Sequence, residues 1–522
     1  MTSHHPSSTP IELPDTHLQQ HAPRAGARAW AGLALLSLPT AMLGLDLTLL
    51  HLTLPALALD LQPTSTQALW IMDAYGFLIA GFLITMGTLG DRIGRRRLLL
   101  LGAVAFAAAS VVAAFSTSAT MLIAARAALG VAGATLMPST LALISNLFPD
   151  PRQRALGIGI WATMWGVGYA LGPVVGGLLL ESFWWGSAFL IAVPVVALLL
   201  LLAPFLLPEY RARGTGRLDL ASVVLSLAAM LPFVYGIKQI AKSGMEPGAI
   251  AAILVGVLFA WLFVRRQRRL ADPLLDLGLF ADRAFVVALI VLLFSLVAVG
   301  GTMLLVAQYL QLVAGHTSSV AGLWMGLAAL AMIIGGTGAP LAARVIRPGF
   351  VVAGSLALSA VGYLMLTQLA QGTAGVLTAI AALALAYLGN GTVAALGTDL
   401  AVGAAPPEKA GSASAMTEMV QELGISLGIA LLGSIAGALY HRTMKGSLPA
   451  DLDAAASEAV SDSLWAASAI ASELPAGLMA QAQAAFMTGL KGAALFSTAS
   501  VAVLAVLSAV ALRHIGTHAR KV

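Results

Sequence analysis

The chain contains no cysteine. Disulfides, thiolate catalysis and cysteine-ligated metal sites are therefore excluded. Charge is scarce as well. Only 10% of the 522 residues are Asp, Glu, Lys or Arg, against about 25% in soluble domains. No G-x-x-x-x-G-K-[ST] phosphate loop occurs, so nucleotide-driven chemistry is not implied. The nine histidines are scattered, mostly in the tails, and lack metal-ligand spacing. Residues 1–28 are polar, with His4, His5 and His17, but without an apolar core or a small-residue cleavage site. They read as a disordered cytoplasmic tail rather than a signal peptide.

What the chain has is apolar surface: 59% of its residues are hydrophobic. Apolar windows recur from Trp30 to Leu512, each of about 20 residues and so able to cross ~30 Å of hydrocarbon. The runs are unbroken instead of alternating, which predicts helices and argues against a β-barrel. Spans are expected near 30–55, 66–89, 97–115, 119–147, 154–180, 186–207, 218–238, 247–264, 284–312, 319–343, 349–369, 374–402, 410–439 and 486–512. An even number of spans puts both termini on one side.

The net charge of +5 suggests nucleic acid only until the charges are placed along the chain. Of 28 Lys and Arg residues, Lys238, Lys242, Arg442, Lys445 and Lys491 fall on the side opposite the termini, and Arg126 falls within a span. All others fall on the termini's side, which the positive-inside rule makes cytoplasmic. The basic balance therefore reports topology and no nucleic-acid partner.

The organisation expected is a tail (1–28), a six-helix half (29–207), two inserted helices with a basic loop (208–283), a second six-helix half (284–513) and a short tail (514–522). Paired halves with a binding site between them are a recurring transporter plan. Within the second half, the stretch 440–485 is too polar, and too broken by Pro449 and Pro475, to span. It reads as an amphipathic hairpin on the outer face, either a plain surface loop or a lid.

Five stretches carry a family resemblance. Residues 87–97, Gly-Thr-Leu-Gly-Asp-Arg-Ile-Gly-Arg-Arg-Arg, resemble the loop between the second and third spans of major facilitator transporters. Leu45-Asp-Leu-Thr leading to Leu54-Pro55 is similar to the first-span signature of fourteen-span drug:proton antiporters. Arg126-Ala-Ala-Leu-Gly-Val-Ala-Gly133 resembles the fourth-span arginine motif. Gly168-Tyr-Ala-Leu-Gly-Pro-Val-Val-Gly-Gly177 resembles the antiporter motif of the fifth span. Glu418-Met-Val-Gln-Glu-Leu-Gly424 is similar to the thirteenth span of quaternary-ammonium and methyl viologen exporters. The resemblance covers nearly all of the chain after residue 29. It implies an all-α membrane protein of the major facilitator fold, two six-helix halves plus two additional helices, with cytoplasmic termini.

Each motif also has its own physical reading. In the 87–97 loop, Gly87 and Gly94 permit close approach or positive φ, and Asp91 can pair with Arg92, Arg95 or their neighbours. Alone, the loop reads as a topology anchor; the resemblance implies a latch between the halves. Gly168, Gly172 and Gly176 repeat on one helix face with Pro173 inserted. That pattern fits close helix packing, and the resemblance implies a pliable gate.

Charges inside spans are the main functional signal, because each costs at least ~2.5–3.5 kcal/mol on the mildest scale. Asp46, Asp73 and Arg126 lie on three helices at similar depth, roughly 10–14 Å below the outer face at 1.5 Å per residue, which predicts a charge cluster. Burial opposes carboxylate ionisation and Arg126 favours it; the cluster is either a proton-exchanging site or a fixed ion pair. Glu418 and Glu422 are four apart and share a helix face near mid-membrane, where they should titrate as a coupled pair. His51 reads as a bystander at the outer mouth. Trp70, Trp161 and Trp165 are the aromatics placed best to offer cation–π surfaces. Unlike some relatives, the tenth span has no acid between Ala321 and Gly338, which counts against broad dication export.

These readings converge on a proton-coupled exporter of lipophilic cations in a bacterial inner membrane. Asp46, Arg126, Glu418 and Glu422 would couple protons. Asp73, Glu418, Glu422, Trp70, Trp161 and Trp165 would bind cargo. The expected partners are small organic cations, protons and the lipid bilayer, with the chain a monomer and no cofactor beyond the proton gradient. With Arg126 as the one buried base against four acids, cationic cargo is favoured over an amino acid or siderophore. A membrane acyltransferase would need a His/Asp pair or a metal cluster.

Overall fold

The computed structural model describes residues 25–211, 219–270, 273, 275, 277–369, 372–405, 410–445, 448–449 and 452–513. Most of the expected tail 1–28, and all of 514–522, lie outside the described residues. Among the described residues, fourteen helices are long and apolar enough to cross a membrane. The first bundle comprises α1 (Ala27–Leu61), α2 (Ser65–Ile93), α3 (Arg95–Ala114), α4 (Ala119–Leu147), α5 (Pro151–Ser182), and α6 (Ser187–Leu190) continued by α7 (Ala192–Leu206). Two further spans follow, α8 (Leu220–Ser243) and α9 (Pro247–Gln267). The second bundle comprises α10 (Arg283–Gln308), α11 (Ser318–Ala342), α12 (Pro348–Leu366), α13 (Thr373–Ala404), α14 (Ala410–Lys445) and α17 (Leu478–Ala511), with α15 (Ala454–Asp462) and α16 (Leu464–Ala469) between the last two.

Local chemistry sets the helix ends. Thr64 caps α2 in a capping box: its hydroxyl accepts from Gln67 N at 3.3 Å, and Gln67 Oε1 accepts from Thr64 N at 3.0 Å. Asp282 caps α10, accepting from Ala284 N at 2.7 Å and Phe285 N at 3.0 Å. The expected water loop at 87–97 is shorter than the sequence suggested. α2 runs to Ile93 and α3 starts at Arg95, so Gly94 alone makes the turn, at φ 113°. That backbone favours glycine, and a Cβ there would press to 2.5 Å from Glu209 Oε1.

Helices α8 and α9 sit at the periphery. Only 22% and 17% of their most apolar windows are buried, against 67% for α1. The basic face is tied together at their base, where Arg266 donates to Asp219 through Nη2 at 2.6 Å and Nε at 2.9 Å. The bundles meet through α5 against α11 and α2 against α14.

Candidate functional site

A cavity of about 490 Å³ lies between the bundles. α4 and α5 line it with Met137, Trp161 and Trp165, and α11, α13 and α14 with Met332, Thr398, Glu418 and Glu422 among others. Glu418 and Glu422 are the only charged residues on its described wall. The helical repeat puts them on one face, one turn apart. Glu422 is 3% exposed, and its Oε2 has no hydrogen-bond partner among the described residues. Trp161 Nε1 donates to Thr140 Oγ1 at 3.1 Å, which fixes its indole. Trp165 stacks on Tyr169 at 5.4 Å between ring centroids.

The wall residues come from the halves of their helices nearer the basic face carrying Arg95, Arg96 and Arg266. Toward the opposite face the bundles close. A methyl at Gly177 would collide with the Ser318 carbonyl oxygen, and one at Gly322 with that of Pro173. The Ser319 hydroxyl donates to Glu181. Asp462, at the end of α15, accepts from Ser65 N at 2.6 Å and from Ser65 Oγ at 2.9 Å. The stretch expected at 440–485 is shorter, because α14 runs to Lys445 and α17 starts at Leu478, and the end of α15 within it is pinned to the start of α2.

Of the expected cluster of Asp46, Asp73 and Arg126, the structure pairs Arg126 with Asp46 and places Asp73 on a different partner. Arg126, 1% exposed, donates to Asp46 Oδ2 at 2.7 Å and to the Ile71 carbonyl oxygen at 3.1 Å. Its guanidinium also lies 4.5 Å from the Tyr75 ring centroid. Asp73, however, is paired with Lys238 of α8 at 2.7 Å, and both are fully buried. The Lys238 ammonium stands 4.1 Å from the Trp70 ring centroid. Neither Asp73 nor Trp70 lines the cavity. The placing of Lys238 on the outer surface, and of Arg126 as the one buried base, is therefore corrected. A lysine near a helix end reads as one that snorkels to water, but here α8 packs its Lys238 face onto α2. His51 is likewise buried rather than at a mouth, with Nδ1 3.1 Å from the Thr48 carbonyl oxygen.

Of the expected gating residues, Gly168, Gly172 and Gly176 form a ladder onto α1. Methyls there would press on Ala41, Thr48 and Leu49 in turn. Pro173 and Gly177 face α11 instead. One motif therefore grips a neighbour in its own bundle and a helix of the other. At the 87–97 turn, Arg95 N donates to the Tyr210 carbonyl oxygen and Arg96 Nη1 to that of Leu207, both at 2.9 Å. Arg96 N also donates to Glu209 Oε1 at 3.1 Å. Arg92 is exposed, and Gly87 lies near Pro138. The Asp91 side chain lies outside the described residues. Tyr75, whose buried hydroxyl has no partner among the described residues, escaped the sequence reading because a tyrosine in a span looks like packing.

Comparison with known proteins agrees with this architecture. The Major Facilitator Superfamily model matches residues 36–429. The chain is 42% identical over 493 residues to the multidrug efflux pump LfrA of Mycolicibacterium smegmatis, covering 94% of this chain and 96% of that protein. It is 35% identical over 458 residues to the methyl viologen resistance protein SmvA of Salmonella typhimurium, covering 86% of this chain and 90% of that one. Its fold matches an inward-facing, unoccupied bacterial homologue of the human lysosomal transporter Spinster, with TM-score 0.66, 16% identity, and 94% and 98% of the two chains covered. The chain belongs to the major facilitator superfamily and is a multi-pass transporter of the bacterial inner membrane.

Proposed function

We propose that the chain exports lipophilic organic cations in exchange for protons. The observation that carries this is the cavity wall, where two carboxylates stand with two indoles and, among the described residues, no base. A volume of about 490 Å³ suits a drug-sized ligand, for which pockets run ~300–1,000 Å³. Indole faces attract cations without requiring hydrogen bonds, which suits quaternary ammonium compounds, dyes, viologens and cationic biocides. The names of LfrA and SmvA, multidrug efflux and methyl viologen resistance, support the same class. Lys238 does not revive anionic cargo, because its charge is spent on Asp73 away from the cavity.

The mechanism is alternating access by a single chain, driven by the proton gradient with no bound cofactor. In the conformation described, the cavity lies toward the basic face, which the charge distribution makes cytoplasmic. A cation entering there replaces protons on the Glu418–Glu422 pair, since two like charges one turn apart resist joint ionisation until a cation joins them. The α5–α11 contacts then open and the cavity closes at the basic face. Protons arriving from outside reach the carboxylates, with Asp46 and Arg126 as the coupled pair of the first bundle, and the cation leaves. The test is proton release from purified protein on adding a quaternary ammonium ion, repeated with Asp46→Asn, Glu418→Gln and Glu422→Gln. Unchanged affinity and proton release in all three variants overturns the reading.

A further inference from the structure

Trp70 and Asp73 project from one turn of α2, three residues apart, and converge on one point. That point lies 2.7 Å from Asp73 Oδ2 and 4.1 Å from the Trp70 ring centroid. The side chains of Asp73 and of Lys238, whose Nζ is the group at that point, are buried, at 0% and 1% exposure.

Nζ stands 2.7 Å from Asp73 Oδ2 in a close ion pair and 4.1 Å from the Trp70 ring centroid. Charge and an aromatic face together hold it. A carboxylate beside an indole face is also what receives a cation that has no N–H to donate.

The surroundings are apolar and lie at a junction of helices. The pair lies where α2, α8 and α14 meet. Phe77, Val234 and Ala430 pack just beyond it, with Trp70, Met230 and Leu427 against them. There α2 also touches α14: a methyl on Gly76 would collide with the Ser426 hydroxyl and stand 3.8 Å from the Glu422 carbonyl oxygen. The site thus lies beside the seam between the bundles, and α8, the helix that fills it, is otherwise mostly exposed to lipid.

We propose that Trp70 and Asp73 form a second organic-cation site at the α2–α14 seam, and that the Lys238 ammonium is its tethered occupant. The ligand class is a small alkylammonium or quaternary ammonium ion. In the wild-type chain the tether excludes free cations from the site, so Asp73 is a counterion to α8 and not a cargo ligand. The site is separate from the Glu418–Glu422 cavity, and a binding experiment can separate the two.

That experiment uses full-length protein in nanodiscs with Lys238→Ala, whose missing atoms correspond to propylammonium. Thermal unfolding is followed with propylammonium, tetramethylammonium or, as an uncharged control, propanol, all at millimolar concentration. Lys238→Ala is expected to melt well below wild type, with propylammonium and tetramethylammonium recovering most of the loss and propanol none. Asp73→Asn/Lys238→Ala is expected to respond to neither cation. Rescue should persist in a background of Glu418→Gln/Glu422→Gln, which removes the cavity's charge. No rescue beyond propanol, or equal rescue of the Asp73→Asn double variant, overturns the proposal. Rescue that disappears with the cavity glutamates assigns the cation to the cavity and also overturns it. If Lys238→Ala yields no folded protein, propylammonium during expression and extraction should raise its folded yield; no increase counts against the site equally.

Discussion

Arg126 Nη1 lies 2.7 Å from Asp46 Oδ2, and the same guanidinium donates through Nε to the Ile71 carbonyl oxygen. The first contact joins α4 to α1 and the second joins α4 to α2. Three helices of the first bundle are therefore registered by one side chain with almost no access to water.

Removing Asp46 strands the buried Arg126 charge, which costs about 3–5 kcal/mol. Asp46→Asn is expected to lower thermal stability and abolish proton-driven uptake in inside-out vesicles. Arg126→Lys should not restore uptake, because an ammonium cannot reproduce the planar two-way donation. Uptake by Arg126→Lys at wild-type rate would show that only the charge matters.

The two cavity glutamates should act as a pair. Glu418→Gln and Glu422→Gln are each expected to weaken a monovalent quaternary ammonium ion by roughly tenfold, or ~1.4 kcal/mol. A viologen dication should suffer more from either change than a monocation does, because α11 adds no acid to the wall. Titration calorimetry of both ligand classes on both variants checks this. Equal losses for the two ligand classes would count against shared charge recognition.

Which of these features were legible beforehand depends on the kind of signal. Unbroken apolar runs locate the spans well, because lipid leaves a segment few alternatives to a helix. The Glu418–Glu422 pair and the indoles at Trp161 and Trp165 are spaced by one helical turn, so a single helix brings each pair to one face. Lys238 is different. Its role depends on α8 lying against α2, and no periodicity within either helix encodes that contact. Asp462 has the same difficulty: it sits in a polar stretch, and its partner Ser65 lies at the far end of the sequence. The 87–97 run reads as a water loop because its arginines are charged, yet arginines at helix ends can reach carbonyl oxygens, as Arg96 does at Leu207.

The α5 glycine ladder predicts a graded steric series. Gly172→Ala drives a methyl onto Thr48 Oγ1 and to 2.8 Å from the Leu45 carbonyl oxygen, an overpacking that costs about 1–3 kcal/mol. Gly168→Ala meets the Ala41 backbone in the same way. Gly159→Ala, on the same helix with nothing within 4 Å, should be neutral. Folded yield by fluorescence-detected chromatography checks the ranking. A Gly159→Ala loss as large as that of Gly172→Ala would refute the close-approach account.

At the base of the inserted pair, hydrogen bonds from Arg266 hold the Asp219 carboxyl below its usual range. A depressed folded value means that the stabilisation is complete above the unfolded value of about 3.9. It is lost as pH falls through the lower folded value. Asp219→Asn should therefore lower the melting temperature at neutral pH, and the gap to wild type should close in strong acid. A gap independent of pH would mean that the side chain acts by shape alone.

The outer closure offers the most direct test of conformational change, because a cysteine-free chain takes paired labels without background. Asp462 holds Ser65 through two hydrogen bonds, at 2.6 and 2.9 Å, and so ties the stretch before α17 to the start of α2. Asp462→Ala removes both acceptors and leaves the α5–α11 contacts, Gly177 on Ser318, Gly322 on Pro173 and Ser319 on Glu181, in place. Spin labels at Gln62→Cys and Glu473→Cys, both on exposed positions near that face, should then report a longer mean distance or a broader distribution. Cation export should be impaired, because an outer end that closes poorly cannot complete the return half of the cycle. If the distance distribution is unchanged while export falls, the hydrogen bonds serve folding of the outer stretch and not closure.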